Sequence, residues 1–316
     1  MGKKYVVGVD AGGTKVAYGL FVSGGEMVDR FQHPTDNTQD GPTFSDGVVK
    51  AILQMLEKNG LTTADLEGVG VCMPSFIDFE EGKICITSAM TNIQDFYMRR
   101  YLEDQLGVRI VLDNDSNVAA LAEWRHGAGR GSKHMVYMAS STGIGSGLII
   151  NEQLFRGSYG WAGESGHMII TPDEGELCGC ENRGCFMSHA SGRYIPRYVE
   201  RRLREGAKSI LSEAEKIDCV KIFEAYKQND ALAIETLDRM AYFFGLCLFN
   251  IYQLLNINLF VFGGGLIHFG ETFFAKIKEE FDKRNHIPYP IYIKMAELGK
   301  DFGIIGAAEL ITEVEI

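Results

Sequence analysis

The chain has 316 residues, 46% apolar and 23% charged, which is enough for two packed domains and unlike a disordered or fibrous composition. Its net charge of −11, from 31 basic and 42 acidic side chains without a Lys/Arg block, excludes a nucleic-acid binder that tracks phosphates. The opening MGKKYVVGVD holds only about half the apolar run of a signal peptide. The apolar stretch 241–262 is broken by Asn250, Gln253, Asn256 and Asn258, so a buried helix and strand are expected there, in a cytoplasmic protein without a membrane span.

In chain order, residues 5–9 and 15–22 read as a hairpin around the turn AGGT, with a second hairpin turn at Ser23-Gly24-Gly25. A helix is predicted over 43–59, a buried strand over 67–73 ending at Pro74, a helix over 96–106 and a strand over 108–113. Asp115 or Ser116 then caps a helix that stops at Gly127. A strand at 135–140, the glycine-rich turn STGIGSG and an extended segment from 148 to 151 repeat the N-terminal pattern. After a loop-rich insert, residues 193–255 read as helical, 259–265 as a strand opening into glycines, 269–283 as a helix and 301–310 as a turn and final helix. The result is an α/β fold in two similar halves, with a ligand cleft expected between lobes.

Two glycine-rich turns, VDAGGTK (Asp10 to Lys15) and STGIGSG (141–147), suit closure of backbone N–H groups on an anion, with Thr14, Lys15 and Thr142 adding donors and charge. Each is equally readable as a plain hairpin turn, and neither has P-loop spacing. Asp115, where a strand passes into a helix, fits a general base kept ionised by helix-terminal amides, or a simple helix cap, and Asp113 shares that ambiguity. Three of the seven cysteines crowd together: His167, ten residues, then Cys178-x-Cys180-x4-Cys185 gives one imidazole and three thiolates, the donor set of a closed structural zinc site. The alternative is three unrelated thiols, and His189 competes with His167 as fourth ligand. Gly263-Gly264-Gly265 after a buried strand fits a flat adenine against the backbone, or a tight turn.

Taken together, VDAGGTK, DNDSN, STGIGSG, GSYGWAGESGH (157–167), the cysteine cluster, FGGG and the terminal GAA resemble the ROK family of sugar kinases and sugar-responsive repressors, within the actin-like ATPase superfamily. The resemblance implies a two-lobed actin-like (ribonuclease H-like) fold with an interlobe cleft and a small zinc-bearing insert. Its lobes would be 1–117 plus 303–316, and 118–302. It implies that Asp10, Gly12, Gly13, Thr14 and Lys15 hold the ATP phosphates and water-coordinated Mg²⁺, that Thr142 and Gly143 form a second phosphate loop, and that Gly264 and Gly265 lie against the adenosine. Asn92, Asn114, Asp115, Glu164 and His167 would bind sugar hydroxyls, with Asp115 as catalytic base and His167 shared with zinc. The implied protein is an ATP-dependent, glucokinase-like kinase acting at a hexose hydroxyl, expected at C6, and a homodimer by analogy.

Four positions depart from the family pattern: Glu181 stands where glycine is usual, Met187 where a sugar-binding Glu is usual, Ser141 replaces a turn glycine, and Ser75 replaces the glycine after Pro74. The first two bear on sugar identity, leaving allose, mannose, fructose or N-acetylmannosamine as alternatives to glucose. A DNA-binding repressor is disfavoured because the phosphate hairpin begins by residue 5. A non-catalytic sugar sensor is disfavoured because Asp10 and Asp115 are both present.

Overall fold

The computed structural model describes residues 4–87, 89–172 and 175–313. In chain order they form β1 (Tyr5–Ala11), β2 (Lys15–Val22), β3 (Met27–Pro34), α1 (Gly41–Lys58), β4 (Leu66–Met73), β5 (Ser75–Asp78), β6 (Lys83–Thr87), β7 (Gln94–Phe96), α2 (Met98–Leu106), β8 (Ile110–Asn114) and α3 (Asp115–His126). The chain continues as β9 (Met135–Ser140), β10 (Ile144–Ile150), β11 (Gln153–Leu154), α4 (Met187–Ala190), α5 (Ile195–Arg204), α6 (Cys219–Lys227), α7 (Ala231–Leu255), β12 (Leu259–Gly263), α8 (Gly270–Asp282), β13 (Tyr292–Met295) and α9 (Phe302–Thr312). It divides into two compact units, one of residues up to 133, 147–163 and from 297 on, the other of 134–146 and 164–296. These bounds differ from the expected 117/118 and 302/303: α3 stays whole in the first unit because it packs against α9 there, where a Cβ on Gly306 would lie 2.1 Å from the Val118 carbonyl oxygen.

The first unit is built on a five-stranded sheet of order β3-β2-β1-β4-β8, in which β1 runs antiparallel to β2 and parallel to β4, and β4 parallel to β8. Val7, Val9, Val69 and Val71 are buried, as strands covered on both faces require. On one face α1 lays down Phe44, Val48, Ile52 and Met55 at helical spacing, its start fixed by the Asp40 side chain accepting the Thr43 amide at 2.9 Å. Backbone sets the contact of α9 with the sheet: a Cβ on Gly8 would meet the Ile304 oxygen at 2.0 Å, and one on Gly70 the Ala307 oxygen at 1.7 Å. Only glycine permits that approach.

In the second unit β9, β12 and β13 pair in parallel, and Phe260 and Phe262 on β12 are fully buried. Helix α7 crosses α8 at Gly245, where a Cβ would lie 2.5 Å from that of Glu280, and Phe244 meets Phe186, Phe262 and Phe273 edge-on. The stretch 241–262 is thus a buried helix ended by Asn256 in the left-handed region (φ 52°) and then a strand, and no helix among the described residues is long and apolar enough to cross a membrane.

Two local expectations change, and one small sheet has no counterpart in the sequence signal. The predicted helical stretch 193–255 is three helices, broken where Gly206 (φ 95°) and Asn229 (φ 58°) turn the chain. Asn114, and neither Asp115 nor Ser116, caps α3, its Oδ1 accepting the Asn117 amide at 2.8 Å. Residues 75–96 contain a small antiparallel sheet, β5-β6-β7, whose strands are too short to show a period.

Candidate functional site

Parallel register brings the first group of residues together. Asp10 on β1 stands opposite Cys72 on β4, and Cys72 opposite Asp113 on β8, so three strands end at one edge of the sheet, the carboxyl end at which α/β sheets place ligands. The turn after Asp10 is tied by the Gly12 amide donating to the Lys15 oxygen (3.0 Å) and the Thr35 hydroxyl donating to the Gly12 oxygen (2.6 Å). Neither Gly12 nor Gly13 has positive φ. Gly13 is required by space, since a Cβ there would stand 2.8 Å from that of Ala89. Thr14 and Lys15 complete the turn, and the Thr14 oxygen accepts the Thr35 amide at 3.1 Å.

Asp10 packs so tightly on the first turn of α9 that a Cβ on Gly303 would lie 2.4 Å from its Oδ2. Burial first and the charge of Asp115 second raise its pKa to about 6, against the pull of Lys15 and the Cys72 thiol. The structure therefore holds two carboxyl groups close enough to repel.

At the β8–α3 junction the three polar residues separate by role. Asp113 is buried and fully engaged: Oδ2 accepts Arg156 Nε at 2.7 Å, and Oδ1 accepts Asn117 Nδ2 and the Asn114 amide, each at 2.8 Å. Arg156 also binds Glu313 at 2.6 Å and lies 4.0 Å from the Phe79 ring. Asp113 is thereby structural, and Asn114 is the cap. Asp115 keeps an exposed edge, and the protein packed around it raises its pKa while the Ser116 amide and hydroxyl oppose the rise. The expectation that helix-terminal amides decide its charge is thus reversed in sign, because crowding outweighs them. Asn92, on the loop after β6, is exposed and donates Nδ2 to the Thr38 oxygen at 2.8 Å.

In the second unit the turn after β9 is closed by the Ser141 amide on the Gly143 oxygen (2.9 Å), and it is held by the Gly192 and Arg193 amides donating to the Ser141 and Thr142 oxygens. The Met187 methyl sits beside this turn, 3.8 Å from where a Gly143 Cβ would be and 3.0 Å from where a Gly166 Cβ would be. Gly264 and Gly265, directly after β12, are exposed, and Gly264 takes φ 76° with no room for a Cβ beside the Ser140 oxygen (2.6 Å). Glu164 caps the short turn Ser165–His167, its oxygen accepting the His167 amide at 3.0 Å.

His167, Cys178, Cys180 and Cys185 place one donor atom each within 4.8 Å of one another, with His167 Nδ1 3.6 Å from Cys178 Sγ and Cys180 Sγ 3.6 Å from Cys185 Sγ. All three thiols are free, and the N/S donor set and spacing fit a tetrahedral zinc ion. His189 is excluded as a competitor: Nε2 lies 2.6 Å from Thr171 Oγ1 and Nδ1 2.7 Å from Arg239. A bridge between Ile169 and Cys185 shapes the loop, and Gly184 (φ 76°) has the Thr171 oxygen 1.9 Å from any Cβ. Glu181 also has positive φ (67°), a conformation glycine adopts without strain.

Sequence reasoning missed Arg156 and Gly303. The signal for Arg156 was an acid in an apolar strand, which demands a cation without naming it. Gly303 gave none, since its role depends on where α9 lands.

A family model described as "ROK family" matches residues 6–314. A glucokinase of Halalkalibacterium halodurans is 31% identical over 100% of this chain and 97% of its own length. Among solved structures, a ROK hexokinase from Thermus thermophilus superimposes with TM-score 0.84 at 30% identity over 96% of both chains. A ROK family glucokinase from Streptomyces griseus, in complex with glucose and AMPPNP, gives 0.76 at 30% identity over 97% of this chain and 98% of its own. With the match running from β1 to the end of α9 and the fold agreeing over the same span, the chain belongs to the ROK family.

Proposed function

We propose that this chain, an ATP-dependent hexose kinase, moves the γ-phosphoryl group of ATP to the C6 hydroxyl of a hexose with Asp115 as general base. The observation that carries the reading is the division of labour at the β8–α3 junction: Asp113 is locked to Arg156 and Asn114 caps the helix, leaving Asp115 as the exposed carboxyl beside Asp10. The relative solved with glucose and AMPPNP supports the choice of ligands.

In this reading Asn92, Asn114, Glu164 and His167 hydrogen-bond the sugar hydroxyls and orient the acceptor. The hydroxyl proton passes to Asp115 as the new O–P bond forms and the bond from the γ-phosphorus to the β,γ-bridging oxygen breaks, with ADP leaving. Gly12, Gly13, Thr14, Lys15, Thr142 and Gly143 hold the phosphates, Asp10 holds water around Mg²⁺, and Gly264 and Gly265 lie against the adenosine. Mg²⁺ bound with ATP supplies charge neutralisation. The upward shift that the surrounding protein imposes on Asp115 makes it a stronger base than an unperturbed carboxylate, which suits the task.

Asp10 gives this arrangement a pH signature. A carboxyl whose folded pKa lies above its unfolded value binds its proton more tightly when folded, so it costs no stability below about pH 3.8 and progressively more as the pH rises to about 6. Without nucleotide, Asp10→Asn is expected to raise stability at pH 7 by about 1–2 kcal/mol, after allowance for water at the partly exposed carboxyl, and to lose that advantage near pH 4. Mg²⁺ with ATP should shrink the difference. Melting curves from pH 4 to 7 check this, and a gain independent of pH would refute it.

We assign a structural Zn²⁺ to His167, Cys178, Cys180 and Cys185. One zinc per chain is expected by metal analysis, and Cys180→Ala should release it and weaken sugar binding by about tenfold or more by displacing His167. Unchanged sugar affinity in that variant would show that the metal does not position the imidazole.

Met187 sets the sugar preference in this reading. A thioether accepts hydrogen bonds poorly, and neither neighbour compensates: His189 is held by Thr171 and Arg239, and Glu181 belongs to the cysteine turn, its amide bonded to the Cys178 oxygen at 3.0 Å. Weak phosphorylation of free glucose is expected, with a better substrate altered or less polar near C1 or C2. Met187→Glu should raise kcat/KM for glucose about 10- to 150-fold. A coupled assay of ATP consumption over a panel of hexoses tests the activity and the preference together. A wild type that favours glucose with a sub-millimolar KM overturns the role of Met187, and one that phosphorylates no hexose overturns the kinase reading.

A further inference from the structure

A cavity of about 380 Å³ in the second unit has no part in the site described above. Its charged wall is Arg239 from α7 and Arg201 from α5, with His189, Thr171, Tyr198 and Glu176 around them. Arg239 is half-buried and donates Nη1 to the His189 oxygen at 3.0 Å and Nη2 to His189 Nδ1 at 2.7 Å. A guanidinium accepts nothing, so Nδ1 carries no proton and Nε2–H points to Thr171 Oγ1, 2.6 Å away. That leaves the threonine hydroxyl proton free to serve another acceptor.

Both hydrogen bonds of Arg239 thus go to the neutral His189, and the rings of Tyr198 and Phe243 lie at 4.5 and 4.6 Å. Arg201 lies over the same Tyr198 ring at 5.3 Å and reaches Glu205 only at 3.8 Å. The nearby acids are committed elsewhere: Glu176 to Arg197 at 3.5 Å, and Glu235 to Arg202 and the Tyr198 hydroxyl at 2.8 and 2.5 Å. Two guanidiniums thus face one cavity, and Arg239 is shifted downward, by burial first and by Arg201, with Tyr198, Glu176 and Glu235 only partly opposing the shift. His189 is pushed to about 4 by burial and the same two arginines, so it remains neutral at physiological pH and holds Arg239 without competing for an anion.

We infer that this cavity binds the phosphate group of a small phosphorylated metabolite, with Arg239 and Arg201 as charged donors and the Thr171 hydroxyl as a third. A planar, pre-oriented guanidinium matches phosphate oxygens in pairs, and two of them balance a phosphate dianion. The space exceeds what one phosphate fills, and Phe243 and Tyr194 give the remainder an aromatic wall that suits the body of a sugar. A hexose phosphate, the product class of the reaction above, has this chemistry. Occupancy would also brace the cysteine loop, since Ser188 on the cavity wall donates to the Cys185 oxygen at 2.7 Å and Tyr194 to the Leu177 oxygen at 3.1 Å.

The test is calorimetric titration of the intact protein with glucose 6-phosphate and, separately, with inorganic phosphate, in wild type, Arg239→Gln and Arg201→Gln. Arg201 is exposed on α5, so its variant keeps the test valid should loss of Arg239 disturb the fold. The sugar phosphate is expected to bind more tightly than free phosphate, each substitution weakening it about tenfold or more, while Arg201→Gln retains wild-type kcat without phosphate present. Equal affinity for the two ligands would overturn the assignment of an organic body. Absence of binding, or binding that both variants leave unchanged, would overturn the site. No catalytic residue takes part, so this outcome is separable from the kinase reading.

Discussion

The structure of the first unit depends on how closely α9 lies on β1, β4 and α3. Gly8 and Gly70 on the strands admit the backbone of α9, Gly306 of α9 admits α3, and Gly303 admits the carboxyl of Asp10. A side chain at Gly8, Gly70 or Gly306 would run into backbone, where a core has least capacity to yield, and one at Gly303 would displace the Asp10 carboxyl. The small residues near the C-terminus therefore act at a distance, fixing where β1 ends and where α3 begins.

That seating has an electrostatic consequence. Asp10 is crowded by α9 and feels the charge of Asp115, so its carboxyl is held near pKa 6 with Lys15 as the countercharge that opposes the rise. Asp113, two strands across the same edge, is also pushed upward by burial, but Arg156 and Asn117 oppose the rise and occupy both of its oxygens. A pair of carboxyl groups short of cations is poorly suited to stability alone and well suited to a metal-bearing phosphate and a hydroxyl proton.

Much of this was legible in the sequence. The hairpin around AGGT, the buried strand 67–73 and the strand-to-helix passage at Asp115 follow from alternation and capping residues, and the cysteine spacing singled out three thiols that the fold gathers with His167 into one cluster. What stayed hidden depends on long-range contact. Nothing local distinguishes Asp113 from Asp115 until Arg156 arrives from 43 residues away, and the competition between His167 and His189 is settled only by Arg239, 50 residues beyond His189. The cap moved to Asn114 because an Asx side chain one residue earlier reached the Asn117 amide first. Glu181, which stands where glycine is usual in the family, sits in the left-handed region where glycine is at ease, so its position is conformational before it is chemical.

Asp115 is the residue on which the account turns. Removing the base while keeping the side chain's shape tests it most directly: kcat of Asp115→Asn, measured with ATP affinity and melting temperature on the same preparation. The account predicts a fall in kcat of about 10²–10⁴-fold with ATP binding and folding close to wild type. Retention of more than about a tenth of wild-type kcat would contradict it, because loss of a true general base costs at least that much.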